Sequence, residues 1–345
     1  MLNPLDTYNF RQMIIDSPLQ FRTGFDLAKD IKIPGTFTSI MISGMGGSAL
    51  PGNIFRTYLD NAFIQEKKDP TKESPIAVYQ NRSYSLPREA FKDCLNFICS
   101  YSGNTEETIA SFEEALKNNL PCIGLSSGGK IEEMCKANDV PHIKLPIPFP
   151  GFQPRVGTGY FFSTMLQVLV NQRMTRDTTT ELLQEVELMQ TRITDIEEQG
   201  KNFAKQVIGK TPVIYTTPEY QSVAMVWKIK FNENAKTPAF WNFFPELNHN
   251  EMVGWTLPQG KFIVFMLRDT LAHPRILKRF EITAGLLREK GVEVVTVDMV
   301  GETVFDKIFS SILLADFTSY FLALEYGENP TPVDMVESLK ELLVA

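Results

Sequence analysis

The chain has 345 residues, 43% hydrophobic and 22% charged, so it is long enough for two hydrophobic cores and too apolar for a disordered or fibrous protein. Its net charge is −7, with Lys and Arg scattered rather than bunched, which excludes the basic stripe a nucleic-acid surface uses to displace counterions. Cys94, Cys99, Cys122 and Cys135 form no CxxC pair and no cysteine–histidine cluster, so buried free thiols are expected instead of a zinc ribbon or a disulfide framework.

The N-terminus, Met1-Leu2-Asn3-Pro4-Leu5-Asp6, has no basic region leading into an apolar stretch, and no run approaches the roughly 20 apolar residues of a bilayer span. A cytoplasmic protein without a membrane partner is expected. Short apolar runs bounded by turn residues then alternate with longer amphipathic stretches, the pattern of parallel strands joined by crossover helices. The first series of strands is expected at 37–42, 76–79, 95–99, 122–125 and 142–145. A segment at 179–206, rich in Glu and Gln and without strand signal, reads as a connecting helix. A second series follows at 213–215, 261–267 and 292–297, with a long apolar helix around 304–325. The expectation is an α/β protein with a first domain over 1–170, a helical connector over 171–206 and a second domain over 207–345.

Gly44-Met45-Gly46-Gly47-Ser48-Ala49 follows the first strand and precedes a helix, so it resembles a degenerate dinucleotide fingerprint. Such a unit places a carboxylate at the end of the next strand to hold the ribose, but the strand at 76–79 runs into Gln80-Asn81-Arg82, which argues against a nicotinamide cofactor.

Ser100-Tyr101-Ser102-Gly103-Asn104-Thr105 joins a buried strand to a helix on which Ile109, Phe112 and Leu116 recur at helical steps. Ligands of open parallel sheets sit outside the carboxyl ends of strands, and helix N-termini favour anions, so the turn is placed for a phosphate. Ser100, Ser102 and Thr105 supply hydroxyls, and Gly103 lets the backbone approach. The same residues would equally serve an ordinary polar turn in which Thr105 caps its helix.

Arg155, in Gln153-Pro154-Arg155-Val156-Gly157, sits at a turn before an apolar helix, where a guanidinium either stabilises an oxyanion or partners a helix end. Glu233, in Asn232-Glu233-Asn234-Ala235-Lys236, is either a positioned base or a solvated helix-end carboxylate. His249 lies in Pro245-Glu246-Leu247-Asn248-His249-Asn250-Glu251, with two carboxylates near enough in sequence to tune an imidazole. The other two histidines, His142 at a strand start and His273 before Pro274, read as structural, and so few histidines make a histidine-rich metal site unexpected.

Taken in order, the glycine turn, Ser100-Tyr101-Ser102-Gly103-Asn104-Thr105-Glu106-Glu107-Thr108, Gln153-Pro154-Arg155, the Glu233 segment and the His249 segment resemble the bifunctional phosphoglucose/phosphomannose isomerases of the sugar isomerase (SIS) domain superfamily. The match runs over nearly the whole chain. After the glycine turn the chain departs from the family's usual pattern, reading Leu50-Pro51-Gly52-Asn53 where a further glycine and an acidic residue are common. The resemblance implies two SIS domains, each a flavodoxin-like parallel sheet flanked by helices. It implies that Gly46, Gly47, Ser48, Ser100, Ser102 and Thr105 bind the phosphate and that Arg155 stabilises an enediolate. Glu233 would shuttle the proton between C1 and C2, His249 would assist ring opening, and Lys340 would support it. The implied activity is cofactor-free and metal-free interconversion of fructose, glucose and mannose 6-phosphates by a homodimer, with His249 reaching the partner's site and Thr331 contributing to epimer tolerance. A non-catalytic sugar-phosphate-binding regulatory protein, or an isomerase of another phosphosugar, stands as the alternative.

Overall fold

The computed structural model describes residues 3–65 and 76–344. In chain order the elements are α1 (Phe10–Asp16), α2 (Leu19–Ala28), β1 (Ser39–Gly44), α3 (Gly46–Gln65), β2 (Ala77–Asn81), β3 (Cys94–Cys99), α4 (Glu106–Lys117), β4 (Cys122–Ser126), α5 (Gly129–Ala137), β5 (His142–Lys144), α6 (Thr158–Asn171) and α7 (Thr179–Thr191). There follow α8 (Ile193–Val207), β6 (Thr211–Thr216), α9 (Gln221–Asn234), β7 (Phe240–Phe243), α10 (Glu251–Gly254), β8 (Phe262–Arg268), α11 (Pro274–Glu289), β9 (Glu293–Asp298), α12 (Val304–Glu325) and α13 (Asp334–Val344).

The chain divides into two compact units. One is formed by Ile15–Thr191 with Thr303–Asp306, the other by Met1–Ile14, Arg192–Glu302 and Lys307–Ala345. The expected connector at 171–206 is therefore two helices, α7 and α8, that belong to different units, and the first fourteen residues fold with the C-terminal part of the chain. For brevity the units are called the serine unit and the glutamate unit, after residues each contains.

The serine unit carries a five-stranded sheet in the order β2-β1-β3-β4-β5, every pairing parallel. Its inner strands β1 and β3 are buried throughout, as the apolar stretches 40–42 and 97–99 require when helices cover both sides. Met41, Ile98, Phe112 and Cys135 belong to one core cluster of this unit, and all four cysteines are buried and free. Burial raises the Cys122 thiol to about 11 and the Cys135 thiol to about 12. Pro51 lies inside α3 without ending it, so the departure from the family pattern at Leu50-Pro51-Gly52-Asn53 leaves a continuous 20-residue helix.

The glutamate unit carries a four-stranded parallel sheet, β7-β6-β8-β9. Val213, Met266 and Phe280 centre its core. β7 was not expected from sequence. Within the same unit Phe10 stacks on Tyr320 at 6.5 Å, and Tyr320 Oη donates to Asp6 Oδ2 at 3.2 Å, which ties the N-terminal segment to α12.

Contrary to the sequence expectation, among the described residues one helix is long and apolar enough to span a membrane: α12, with mean hydropathy 1.4 in its most apolar stretch. Since 83% of its most apolar stretch is buried inside the protein, α12 reads as a core helix.

Candidate functional site

In each sheet the strand order reverses beside its first strand, between β1 and β3 in the serine unit and between β6 and β8 in the glutamate unit. Loops leaving the carboxyl ends of two such strands diverge and open a crevice. In the serine unit that crevice is bordered by the glycine turn after β1 and the serine turn after β3.

Hydroxyls and backbone amides there bond across and within the two turns. Ser48 Oγ accepts from Tyr101 N at 2.9 Å, linking the two turns. Ser100 Oγ lies 2.8 Å from Thr105 Oγ1 and accepts from Gly103 N at 3.1 Å. Thr105 occupies the N-cap position of α4 yet makes no side-chain cap bond, because its hydroxyl is turned to Ser100. The ordinary capped-helix reading therefore does not describe this turn. Ser48 and Ser100 are buried, Thr105 is half-buried, and Ser102 is exposed, its Oγ accepting from Asn104 N at 3.2 Å.

Close approach of neighbouring backbone requires glycine at positions 103 and 47 among others. Gly103 has φ +74°, and a Cβ there would lie 1.8 Å from Gly128 O, so the serine turn is pressed against the loop after β4. A Cβ on Gly47 would lie 2.7 Å from Arg155 N, so the glycine turn carries the Pro154–Val156 turn directly upon it. Gly46, at φ +49°, is open on its Cβ side. Arg155 is 1% exposed, and its Nη1 donates to Gln153 Oε1 at 2.9 Å.

Sequence reasoning missed two supports. Gln20 Nε2 donates to Val156 O at 2.7 Å and its Oε1 accepts from Gly159 N at 3.1 Å, bracing the Arg155 turn from α2. Nothing in the local pattern of α2 marks this. Ser127 donates to Tyr101 O through both N, at 2.8 Å, and Oγ, at 2.7 Å. Its segment, Ser126-Ser127-Gly128-Gly129 after a strand, was a legible signal. Tyr101 points the other way, its Oη donating to Pro146 O at 2.5 Å, and burial pushes its phenol up.

The glutamate unit holds Glu233, His249 and Lys340. Glu233 is half-buried in the last turn of α9. Around it Asn232 Nδ2 donates to Thr237 O at 2.9 Å, and Lys236 Nζ donates to the carbonyls of Glu233 at 2.8 Å, Asn234 at 3.2 Å and Pro330 at 3.2 Å. A cation on the last carbonyls stabilises a helix C-terminus. The same lysine fixes the segment that carries Thr331, which is buried and whose N donates to Asn329 Oδ1 at 3.0 Å.

His249 ends the short 3-10 turn Glu246–His249 and is exposed. The carboxylates flanking it in sequence hydrogen-bond to other groups. Glu246 Oε1 accepts from Asn250 Nδ2 at 2.7 Å, and Glu251 accepts from Tyr215 Oη and from Asn242 Nδ2, each at 2.5 Å. Lys340 lies on α13, exposed, and pairs with Glu337 at 2.7 Å.

His142 and His273 are structural, as expected. His142 Nε2 lies 2.8 Å from Ser126 Oγ, with burial pulling its pKa down, and His273 Nδ1 accepts from Arg275 N at the start of α11. Where a ribose-binding carboxylate would follow β2, Arg82 donates to Asn53 Oδ1.

Parallel sheets flanked by helices, with a hydroxyl-lined turn at the switch point, define an SIS-type phosphosugar fold. The solved tagatose-6-phosphate ketose/aldose isomerase of Escherichia coli shares this fold, at a TM-score of 0.66 and 14% identity over 93% of this chain and 94% of that one. Residues 196–343 match the model of the bacterial phospho-glucose isomerase C-terminal SIS domain. The bifunctional phosphoglucose/phosphomannose isomerase of Aquifex aeolicus is 33% identical over 92% of this chain and 93% of its own, and this chain belongs to that family. The D-glucosamine-6-phosphate 4-epimerase of Sulfolobus acidocaldarius is 30% identical over 90% of this chain and 91% of its own.

Proposed function

We propose that the chain catalyses reversible aldose–ketose isomerisation of fructose 6-phosphate with glucose 6-phosphate and mannose 6-phosphate, without a metal, through a cis-enediol. The observation that carries the reading is the Ser100–Thr105 hydroxyl pair at the switch point, with Thr105 turned away from its own helix and Ser48 Oγ bonded to Tyr101 N beside it. Hydroxyls and amides at a helix N-terminus suit a phosphate dianion, and Gly46, Gly47 and Ser102 complete the shell.

The remaining roles follow the family pattern. Glu233 takes the C2 proton of the aldose and returns it to C1, leaving the enediol between the two transfers. Arg155 offsets the charge that develops on the enediolate oxygens. His249, with Lys340 in support, moves the proton between the ring oxygen and the anomeric hydroxyl when the ring opens. Glucose and mannose 6-phosphates differ only at C2 and collapse to one enediol, so dual specificity requires only protonation on either face, with Thr331 shaping that tolerance. A homodimer in which His249 serves the partner's site, and a cytoplasmic location, complete the proposal.

Glu233→Gln tests it: isomerisation falls by at least about 1,000-fold while fructose 6-phosphate still binds, measured by coupled assay and calorimetry. Near-normal turnover would remove Glu233 from the mechanism. Turnover that survives chelator treatment supports metal-free chemistry, and turnover lost with the chelator sinks it.

One observation favours a second reading. The epimerase relative at 30% identity acts on a hexosamine phosphate, so the same fold can serve another phosphosugar. Conversion of D-glucosamine 6-phosphate with no conversion of fructose 6-phosphate would select that reading. Binding of fructose 6-phosphate without any conversion would select a sensor.

A further inference from the structure

Helix α9 carries Glu233 in its last turn, and one face of it makes three buried polar contacts with α12, all within the glutamate unit. Trp227 Nε1 donates to Ser311 Oγ at 3.0 Å, Lys230 Nζ is ion-paired with Asp316 Oδ1 at 2.7 Å, and Asn234 Nδ2 donates to Ser319 Oγ at 2.9 Å. Trp227, Lys230, Asn234 and Ser319 are 0% exposed, and Asp316 and Ser311 are 3% and 5% exposed.

Stability alone does not call for this arrangement. A buried ion pair seldom outperforms well-packed apolar side chains of the same volume, because desolvation offsets the attraction. Helix α9 already buries Val223, Ala224, Val226 and Phe231, so an apolar seam was within reach of the sequence. What polar contacts add is direction. Apolar packing tolerates small rotations, whereas an ion pair and two hydrogen bonds spaced along one helix face hold the helix at one rotation and one axial position.

Residues 227, 230 and 234 follow the i, i+3, i+7 spacing of one face, and Glu233 projects from the flank of that face. Rotation of α9 by 10° would move a carboxylate roughly 6 Å from the helix axis by about 1 Å, a displacement that costs a base up to about 100-fold in rate.

We propose that Lys230–Asp316, Asn234–Ser319 and Trp227–Ser311 are positioning contacts that set the rotation of α9 and with it the place of the Glu233 carboxylate. The proposal rests on the reading of Glu233 as the base.

The test is steady-state kinetics of the full-length enzyme on fructose 6-phosphate with Lys230→Met/Asp316→Leu, which replaces the pair by apolar groups. The expected result is a folded protein whose kcat falls by about ten-fold or more while KM stays within about two-fold, since the phosphate shell lies in the other unit. Wild-type kcat in the folded variant, whether or not its unfolding midpoint drops, overturns the proposal. Ser319→Ala, which deletes one oxygen, carries the same test should the first variant fail to fold, with about a three-fold fall in kcat expected and an unchanged kcat overturning. Glu233→Gln is assayed in parallel. Full activity there refutes the base reading itself, whereas an inactive Glu233→Gln beside fully active Lys230 and Ser319 variants refutes only the positioning.

Discussion

The two switch points of this protein have the same strand order and opposite chemistry. In the serine unit the crevice beside β1 and β3 is bordered by hydroxyls and backbone amides and carries no carboxylate among Ser48, Ser100, Ser102 and Thr105. In the glutamate unit the turn after β8 begins on Asp269, whose Oδ1 is ion-paired with Lys307 at 2.8 Å and accepts from Leu271 N at 2.9 Å, with side chains only 12% and 4% exposed. Tyr220 leans on the same carboxylate, which with burial pushes its phenol up. The turn after β3 presents hydroxyls and amides, whereas the turn after β8 begins on a carboxylate already paired with a buried lysine.

The comparison can be broken at four places, and the largest effect is expected in the glutamate unit. Asp269→Ala leaves Lys307 buried without its partner and should cost about 3–5 kcal/mol in urea unfolding, whereas Asp269→Leu/Lys307→Met should recover most of it. If the single change is silent, the crevice is not held by its own ion pair.

Gly103→Ala comes next. The Cβ would meet Gly128 O and φ is left-handed, so a loss of about 2–4 kcal/mol is expected, together with loss of fructose 6-phosphate binding by calorimetry.

Ser100→Ala should leave the fold intact and raise KM for fructose 6-phosphate about ten-fold with kcat little changed, as for a group that binds ground state and transition state alike. An unaltered KM would mean that the hydroxyl group is structural only.

The smallest effect is expected from Thr217→Val, at the end of β6. Thr217 Oγ1 is buried and has no hydrogen-bond partner among the described residues, so removing it should shift stability by no more than about 0.5 kcal/mol, and toward greater stability. A marked loss would show that this hydroxyl supports the Asp269 turn.

Much of this was legible before any coordinates. The strand series was readable because buried parallel strands are short apolar runs between turns, and β1, β3, β4, β6, β8 and β9 all meet that description. β7 escaped because Phe240–Phe243 is a partly exposed edge strand between two prolines, inside a segment that read as loop. The break between α7 and α8 at Arg192 escaped because no Gly or Pro marks it. The donors that Glu246 and Glu251 reach, Asn250, Tyr215 and Asn242, were not legible because proximity in sequence is a poor guide to which donor a carboxylate reaches in a turn.

The sequence by itself determined the family and the α/β class, because hydrophobic period, turn residues and short motifs are local properties. Only the tertiary structure decided how those residues are held. Gln20 reaching Val156, Asp6 reaching Tyr320 across 314 residues, and α9 locked to α12 are contacts between segments whose separation no local pattern encodes. The same holds for the two crevices. Ser100 and Asp269 both follow a parallel strand, and only the folded neighbourhood decides their partners, a threonine hydroxyl in one case and a buried lysine in the other.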